Sequence, residues 1–200
     1  QKKLMNGKNS GAYFTFNTAI DNEISYQISI SFVSIENAKE NLKSERQFAD
    51  FDFCKKETQK IWDQQLSKII IKSNSKDKLT QFYTHLYHSM IHPNIVSDIN
   101  GEYMGADFIK KRVQKGRDHY SSFSVWDTYR TQGQLVAILF PKESSDMMES
   151  LVNFEKEAGG YGRWILANIE TGIMQGDPTP ILISNSYACG GDNFDIKSAY

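Results

Sequence analysis

The chain has 200 residues, 40% of them hydrophobic and 12% aromatic, with a formal net charge of −1. That size holds one domain or parts of two, and the apolar share supports a real core. Balanced charge argues against a nucleic-acid binder, which carries a basic excess or stripe, and against a polybasic membrane anchor. The longest apolar runs, such as Leu135 to Phe140, fall far short of the roughly 20 residues a bilayer span needs.

The N-terminus shows no signal peptide. Gln1-Lys2-Lys3-Leu4 reads as a chain entered midway, and Phe194 to Tyr200 as a helix just starting. An internal fragment is expected. Cys54 and Cys189 are far apart, with no CxxC pair and no zinc spacing. Two unpaired, half-buried thiols are the plain reading.

Ala12 to Phe16 is short, β-branched and aromatic, as a strand would be. Ile24, Tyr26, Ile28, Ile30 and Phe32 alternate with polar residues, the mark of a half-buried strand. Such a pair needs a larger sheet, so residues 1–34 read as the last strands of a β-sandwich. The period then changes. Ser34 is a good N-cap and Glu36 sits in the first turn of a helix from Ile35 to about Gln47. That helix is polar all round and reads as a surface connector. A second helix spans about Lys55 to Ser67, which makes residues 35–72 a linker.

From Ser75 to about Ile91, Leu79, Phe82, Tyr83, Leu86 and Met90 form one apolar stripe. His92-Pro93 stops it. Asn94 to Ser124 is a long irregular stretch whose aromatics argue for order. Further helices are expected over about Val125 to Phe140, ended by Pro141, then over Ser145 to Ala158, closed by Gly159-Gly160, and over Pro178 to Ala188. Residues 73–200 thus read as helices joined by long loops, an α/α arrangement whose loops would build a site at one end. The whole is an α+β, multidomain fragment.

Site-like residues cluster in three loops: Ser97–Asp107, Tyr120–Arg130, and Gly160–Trp164 through Met174–Pro178. Together, Asp, Arg, Trp and Tyr suit a sugar. Carboxylates and guanidinium groups bond vicinal hydroxyls, and an aromatic face packs on the ring's C–H face.

The run Phe123-Ser124-Val125-Trp126-Asp127-Thr128-Tyr129-Arg130 resembles the FSxWDTYR motif of glycoside hydrolase family 92 α-mannosidases. Ile30 to Leu42 is similar to that family's strand-to-helix junction. Phe82 to His88, with Pro93, Ser97-Asp98, Gly101-Glu102-Tyr103 and Gly105, is similar again. The resemblance implies an N-terminal β-sandwich joined to an (α/α)6 barrel. It implies inverting hydrolysis of α-linked mannose, a Ca²⁺ cofactor, glycan substrates and a secreted, periplasmic or cell-surface location. Inversion needs an acid and a base roughly 6.5–9.5 Å apart. The family's acid and base lie in later motifs that this sequence does not contain, so no catalytic residue is assigned here. Nor is a metal ligand; the Ca²⁺ ligands are expected mostly outside this chain. There are departures from the pattern: Asp177-Pro178, Asn185-Ser186-Tyr187, Gly190-Gly191 and Arg163. They bear on the leaving-group side of the pocket.

Asp127 is the foremost candidate for binding mannose hydroxyls. Its plain alternative is an acid favoured by a helix dipole. Arg130, one turn along, would clamp the sugar or pair with Asp127. Trp126 would be platform or core; Trp164, in a Gly-rich loop, is the better platform. Asp98, Tyr103 and Asp107 would touch ligand or serve the loop. His85, His88 and His92 share a helical face, but without HExxH they read as satisfied, partly buried residues. Met147-Met148 reads as core. The rivals to a mannosidase are another (α/α)6 glycosidase acting on α-glucosides and a non-catalytic carbohydrate-binding module.

Overall fold

A computed structural model describes residues 11, 13–19, 22–45 and 50–200. The first thirty-odd residues depart from expectation. Residues 13–17 and 22–31 join no ladder, and Tyr26, Ile28 and Ile30 are 80%, 75% and 70% exposed. A strand exists by pairing its backbone groups with a neighbour. Among the described residues these segments have no such neighbour. Ala12 lies outside the described residues.

Helix α1 spans Ile35–Glu45, with Ser34 Oγ accepting from Asn37 N at 3.0 Å. Arg46 and Gln47 lie outside the described residues. The helix is not simply a surface connector, because it buries Asn37 and Asn41. Helix α2 (Phe51–Leu66) starts earlier than the sequence suggested, because Asp50 caps it by accepting from Asp52 N at 2.9 Å. Helix α3 (Lys76–His88) is capped by Ser75 and precedes a cis His92-Pro93 bond.

The long stretch after Pro93 is ordered, as its aromatics suggested. It holds β1 (Asn94–Ile95), β2 (Glu102–Met104), β3 (Lys110–Arg112), β4 (Tyr120–Ser121) and β5 (Phe123–Ser124). β1 pairs antiparallel with β4, Ile95 facing Tyr120, and β2 with β3, Tyr103 facing Lys111.

The helix expected over Val125 to Phe140 is two, α4 (Val125–Thr128) and α5 (Gln132–Leu139). Thr128, Thr131 and Gly133 are weak helix formers, and the Gln134 amide takes the Tyr129 carbonyl freed at the break at 3.2 Å. Pro141 does not merely end a helix. It opens α6 (Pro141–Ala158) at a first-turn position, where its missing N–H costs nothing. Gly159, at φ 79°, closes α6 in the left-handed conformation. The hairpin β6 (Trp164–Leu166) and β7 (Ile169–Glu170) then adds to β5, giving the order β5-β6-β7. Helices α7 (Thr179–Ala188) and α8 (Ile196–Ala199) follow.

Helices α5, α6 and α7 pack on one another. Gly133 lets α5 approach α7, since a Cβ there would run into Leu182. The core gathers Tyr120, Phe123 and Val125 with Met148, Leu151 and Val152 of α6, Ile165 of β6 and Leu182 of α7. Leu151 and Val152 are fully buried, each such side chain contributing about 1.5–3 kcal/mol by transfer from water. This core fixes β5, β6 and the start of α4, and with them the residues in question.

Candidate functional site

The ladder between β5 and β6 sets Ser124 opposite Trp164, and Val125 N donates to Arg163 O at 2.9 Å. Glu170 fixes the facing loop: its carboxylate accepts from Arg163 N at 2.7 Å, Trp164 N at 3.1 Å and Gly172 N at 3.0 Å. The next turn is tied back twice. Trp126 Nε1 donates to Gln175 O at 3.1 Å, and Arg163 Nη1 to Gly176 O at 3.2 Å.

Four of the predicted residues meet on this edge. Asp127 is exposed, and its Oδ2 accepts from Ser124 Oγ at 2.7 Å. A carboxylate has about four acceptor sites, so most of its capacity faces outward. Arg130 makes no ion pair with Asp127 among the described residues. Its guanidinium lies 5.7 Å from the Trp126 ring centre and 4.9 Å from that of Tyr129, a cation–π arrangement. Trp126 is half-buried, neither pure core nor pure surface. Trp164 is half-buried too, and its buried Nε1 has no acceptor among the described residues. An outward carboxylate, a guanidinium and two indoles on one edge can accept from hydroxyls, donate to them, and pack on an apolar ring face.

The other three lie elsewhere and are committed to the protein itself. Asp98 is buried; its carboxylate accepts from Ser31 Oγ at 2.7 Å, Asn37 Nδ2 at 2.8 Å and Asn41 Nδ2 at 2.7 Å. Beside it, the Asn37 amide, Lys110 and Arg112 hold the Glu102 carboxyl down at about 2. Tyr103 is buried, stacks on His119 at 3.7 Å and donates to Glu157 Oε1 at 2.9 Å. Burial, then the Glu157 charge, push its hydroxyl well above the usual tyrosine range. Asp107 pairs with Lys111 at 2.8 Å, and that contact lowers its carboxyl.

Several organising residues were not singled out in the sequence. Asp146, Ser150 and Glu157 of α6 receive the long loop. Asp146 accepts from Arg117 Nη1 at 2.8 Å, Ser150 Oγ from Tyr120 N at 2.9 Å, and Glu157 from Ala106 N at 2.9 Å. Their signal was a polar row at i, i+4 and i+11 on a helix read for its apolar face. His85, His88 and His92 are exposed rather than partly buried. The buried histidine is His119, which was not singled out. Cys54 and Cys189 are free, Cys54 exposed. Among the described residues, no group of three His, Cys, Asp or Glu side chains is placed to hold a metal ion, and no helix is long and apolar enough to cross a membrane.

Mixed helices and small sheets thus carry an aromatic and charged edge at the start of a helix. The family model for the glycosyl hydrolase family 92 catalytic domain matches residues 37–200, and the chain belongs to that family.

Among solved structures, the family GH92 alpha-mannosidase BT3965 from Bacteroides thetaiotaomicron is similar at 27% identity and a TM-score of 0.78, covering 85% of this chain. The GH92 family glycosyl hydrolase ccman5 is similar at 28% identity and 0.69, also over 85% of the chain. The family GH92 inverting mannosidase BT2199 from Bacteroides thetaiotaomicron VPI-5482, at 24% identity, 0.77 and 84% coverage, shares the fold. In each case this chain spans 23% of the other's length. A search of curated proteins finds no match.

Proposed function

We propose that this chain is the part of an exo-acting α-mannosidase that grips the terminal sugar. Trp126, Asp127, Arg130 and Trp164 do the gripping. The carrying observation is the exposed Asp127 carboxylate beside the Trp126–Arg130 stack, on the edge to which β6 brings Trp164. The substrate class follows family membership and the likeness to the alpha-mannosidase BT3965, which has also been solved with mannoimidazole. Asp127 accepts from sugar hydroxyls, Arg130 donates, and the indoles pack on the ring. Inversion of the anomeric centre belongs to this reading, by analogy with BT2199. So does the division into the end of a β-sandwich, a linker and the opening helices of an (α/α)6 barrel, with a location outside the cytoplasm.

The acid and base of inversion lie in the rest of the enzyme, and this segment contributes binding. Ca²⁺ belongs to the proposal only through the whole enzyme. The described residues bring no three acidic or histidine ligands together, so no step here runs through the ion.

The test is Asp127→Asn in the full-length protein, assayed on α-mannosides. Losing charged acceptance of sugar hydroxyls lowers kcat/KM by about thirtyfold or more, from about 2 kcal/mol or more of lost hydrogen bonding. Because Asp127 is exposed, unfolding stability should move by less than about 0.5 kcal/mol. Unchanged kcat/KM would overturn the assignment. Wild-type turnover of α-glucosides in preference to α-mannosides would favour the rival glycosidase.

A further inference from the structure

Helix α1 is attached to the rest of the protein in an unusual way. Its buried residues are two asparagines, Asn37 and Asn41, and no apolar side chain is buried from it. Both amides point at one carboxylate, Asp98, at 2.8 and 2.7 Å. The third donor to Asp98, Ser31 at 2.7 Å, precedes the helix. The grip is two-sided. Asn41 also donates to Ile30 O at 3.1 Å and accepts from Ile99 N at 2.9 Å, while Asn37 donates on to Glu102 at 3.0 Å. Among the described residues, the side-chain donors to the buried Asp98 carboxylate are three neutral groups.

We propose that Asp98 is a positioning residue, the centre of a clasp that seats residues 30–45 on the loop carrying β2. Apolar packing tolerates sliding. Three donors converging on one carboxylate tolerate only one register, because a shift that breaks one bond leaves a buried charge under-satisfied. The seat is linked onward to the sugar-binding edge. Ser97, next to Asp98, accepts from His119 N at 3.0 Å, and Val96 N donates to His119 O at 2.8 Å. His119 leads straight into β4 and β5, which end at Ser124. The polarity of α1, which in sequence suggests a bare solvent-facing connector, is then the recognition face itself.

Hydrogen exchange on the full-length protein tests this without reading activity, so it stands or falls apart from the sugar-binding proposal. Asp98→Ala should raise exchange of the α1 amides by about tenfold to a hundredfold, the factor that goes with losing hydrogen bonds to a charged group. Exchange in α6 and α7 should not change. Asn41→Asp sets a second carboxylate against the first and should do the same. Combining it with Asp98→Asn restores one charge and one donor, and should recover much of the α1 protection. Unchanged α1 exchange in Asp98→Ala overturns the clasp. So does a uniform rise reaching α6 and α7, which makes Asp98 a general core residue. Failure of the double variant to recover counts against the direct Asn41–Asp98 bond.

Discussion

Asp146 is the most deeply placed charge joining the long loop to the helical core. Its side chain is 1% exposed and is paired with Arg117 (17% exposed) and Lys142 (58% exposed), each at 2.8 Å. It also accepts from Asp118 N at 3.3 Å. Asp146→Asn keeps the shape and removes the charge. The amide can offer its oxygen to only one side. If that side is Arg117, the amide N–H₂ faces Lys142 and the Asp118 N–H. Lys142 can swing into water, and an exposed pair of this kind is worth about 1 kcal/mol or less. Arg117 keeps a weakened bond, and the Asp118 N–H loses its acceptor. Together these cost about 2–3 kcal/mol. At about 2–4 °C per kcal/mol for a domain of this size, calorimetry should show the unfolding midpoint fall by about 5–10 °C. Lys142→Ala, the control, should move it by about 3 °C or less. A midpoint for Asp146→Asn within about 2 °C of the wild type would refute the reasoning, because it would mean that the buried charge contributes no net stability.

Two further outcomes follow from buried geometry. Burial and the nearby Lys111 cation hold the His119 imidazole down at about 3, against 6.5 ordinarily, so the folded ring is neutral. The unfolded chain binds a proton below about pH 6.5 that the folded chain refuses, so this group's contribution is full above that pH and is lost as pH falls toward 3. Urea midpoints at pH 7.5 and 4.5 should therefore differ less in His119→Gln than in the wild type; an equal difference would remove His119 as the cause. Gly133→Ala places a methyl against buried Leu182 and should cost about 1–3 kcal/mol by overpacking; a neutral or stabilising result in denaturant unfolding would show that α7 can yield there.

The helices were legible where one apolar stripe met a clear cap. Ser75, the Leu79 to Leu86 run and Gly159 ended up where period and cap chemistry put them. Pro141, a stop by sequence, both follows α5 and starts α6, since proline at a first helical position is as favourable as it is forbidden inside. The alternation of Ile24 to Phe32 was real as a pattern but does not produce a strand among the described residues. A period of two says which face a strand would bury, whereas only a neighbouring backbone makes it one. The small strands at 94–124 were invisible because two- and three-residue ladders carry no period.

The site residues divide by a criterion that sequence does not display, namely which polar groups find partners inside the fold. Asp98, Tyr103 and Asp107 are site candidates by residue type, but Asn37 with Asn41, Glu157 and Lys111 respectively occupy them. Each of those partners lies at least four positions away in the chain, and all but Lys111 lie more than fifty away. Asp127 is a candidate on the same ground and differs only in what surrounds it, a single serine and open solvent. A buried carboxylate with three donors has little left to offer a ligand, whereas an exposed one with a single donor keeps most of its acceptor capacity. By that measure Trp164, whose buried N–H has no acceptor among the described residues, is the indole left unsatisfied by the fold. Trp126, which already donates to Gln175, can contribute only its ring face.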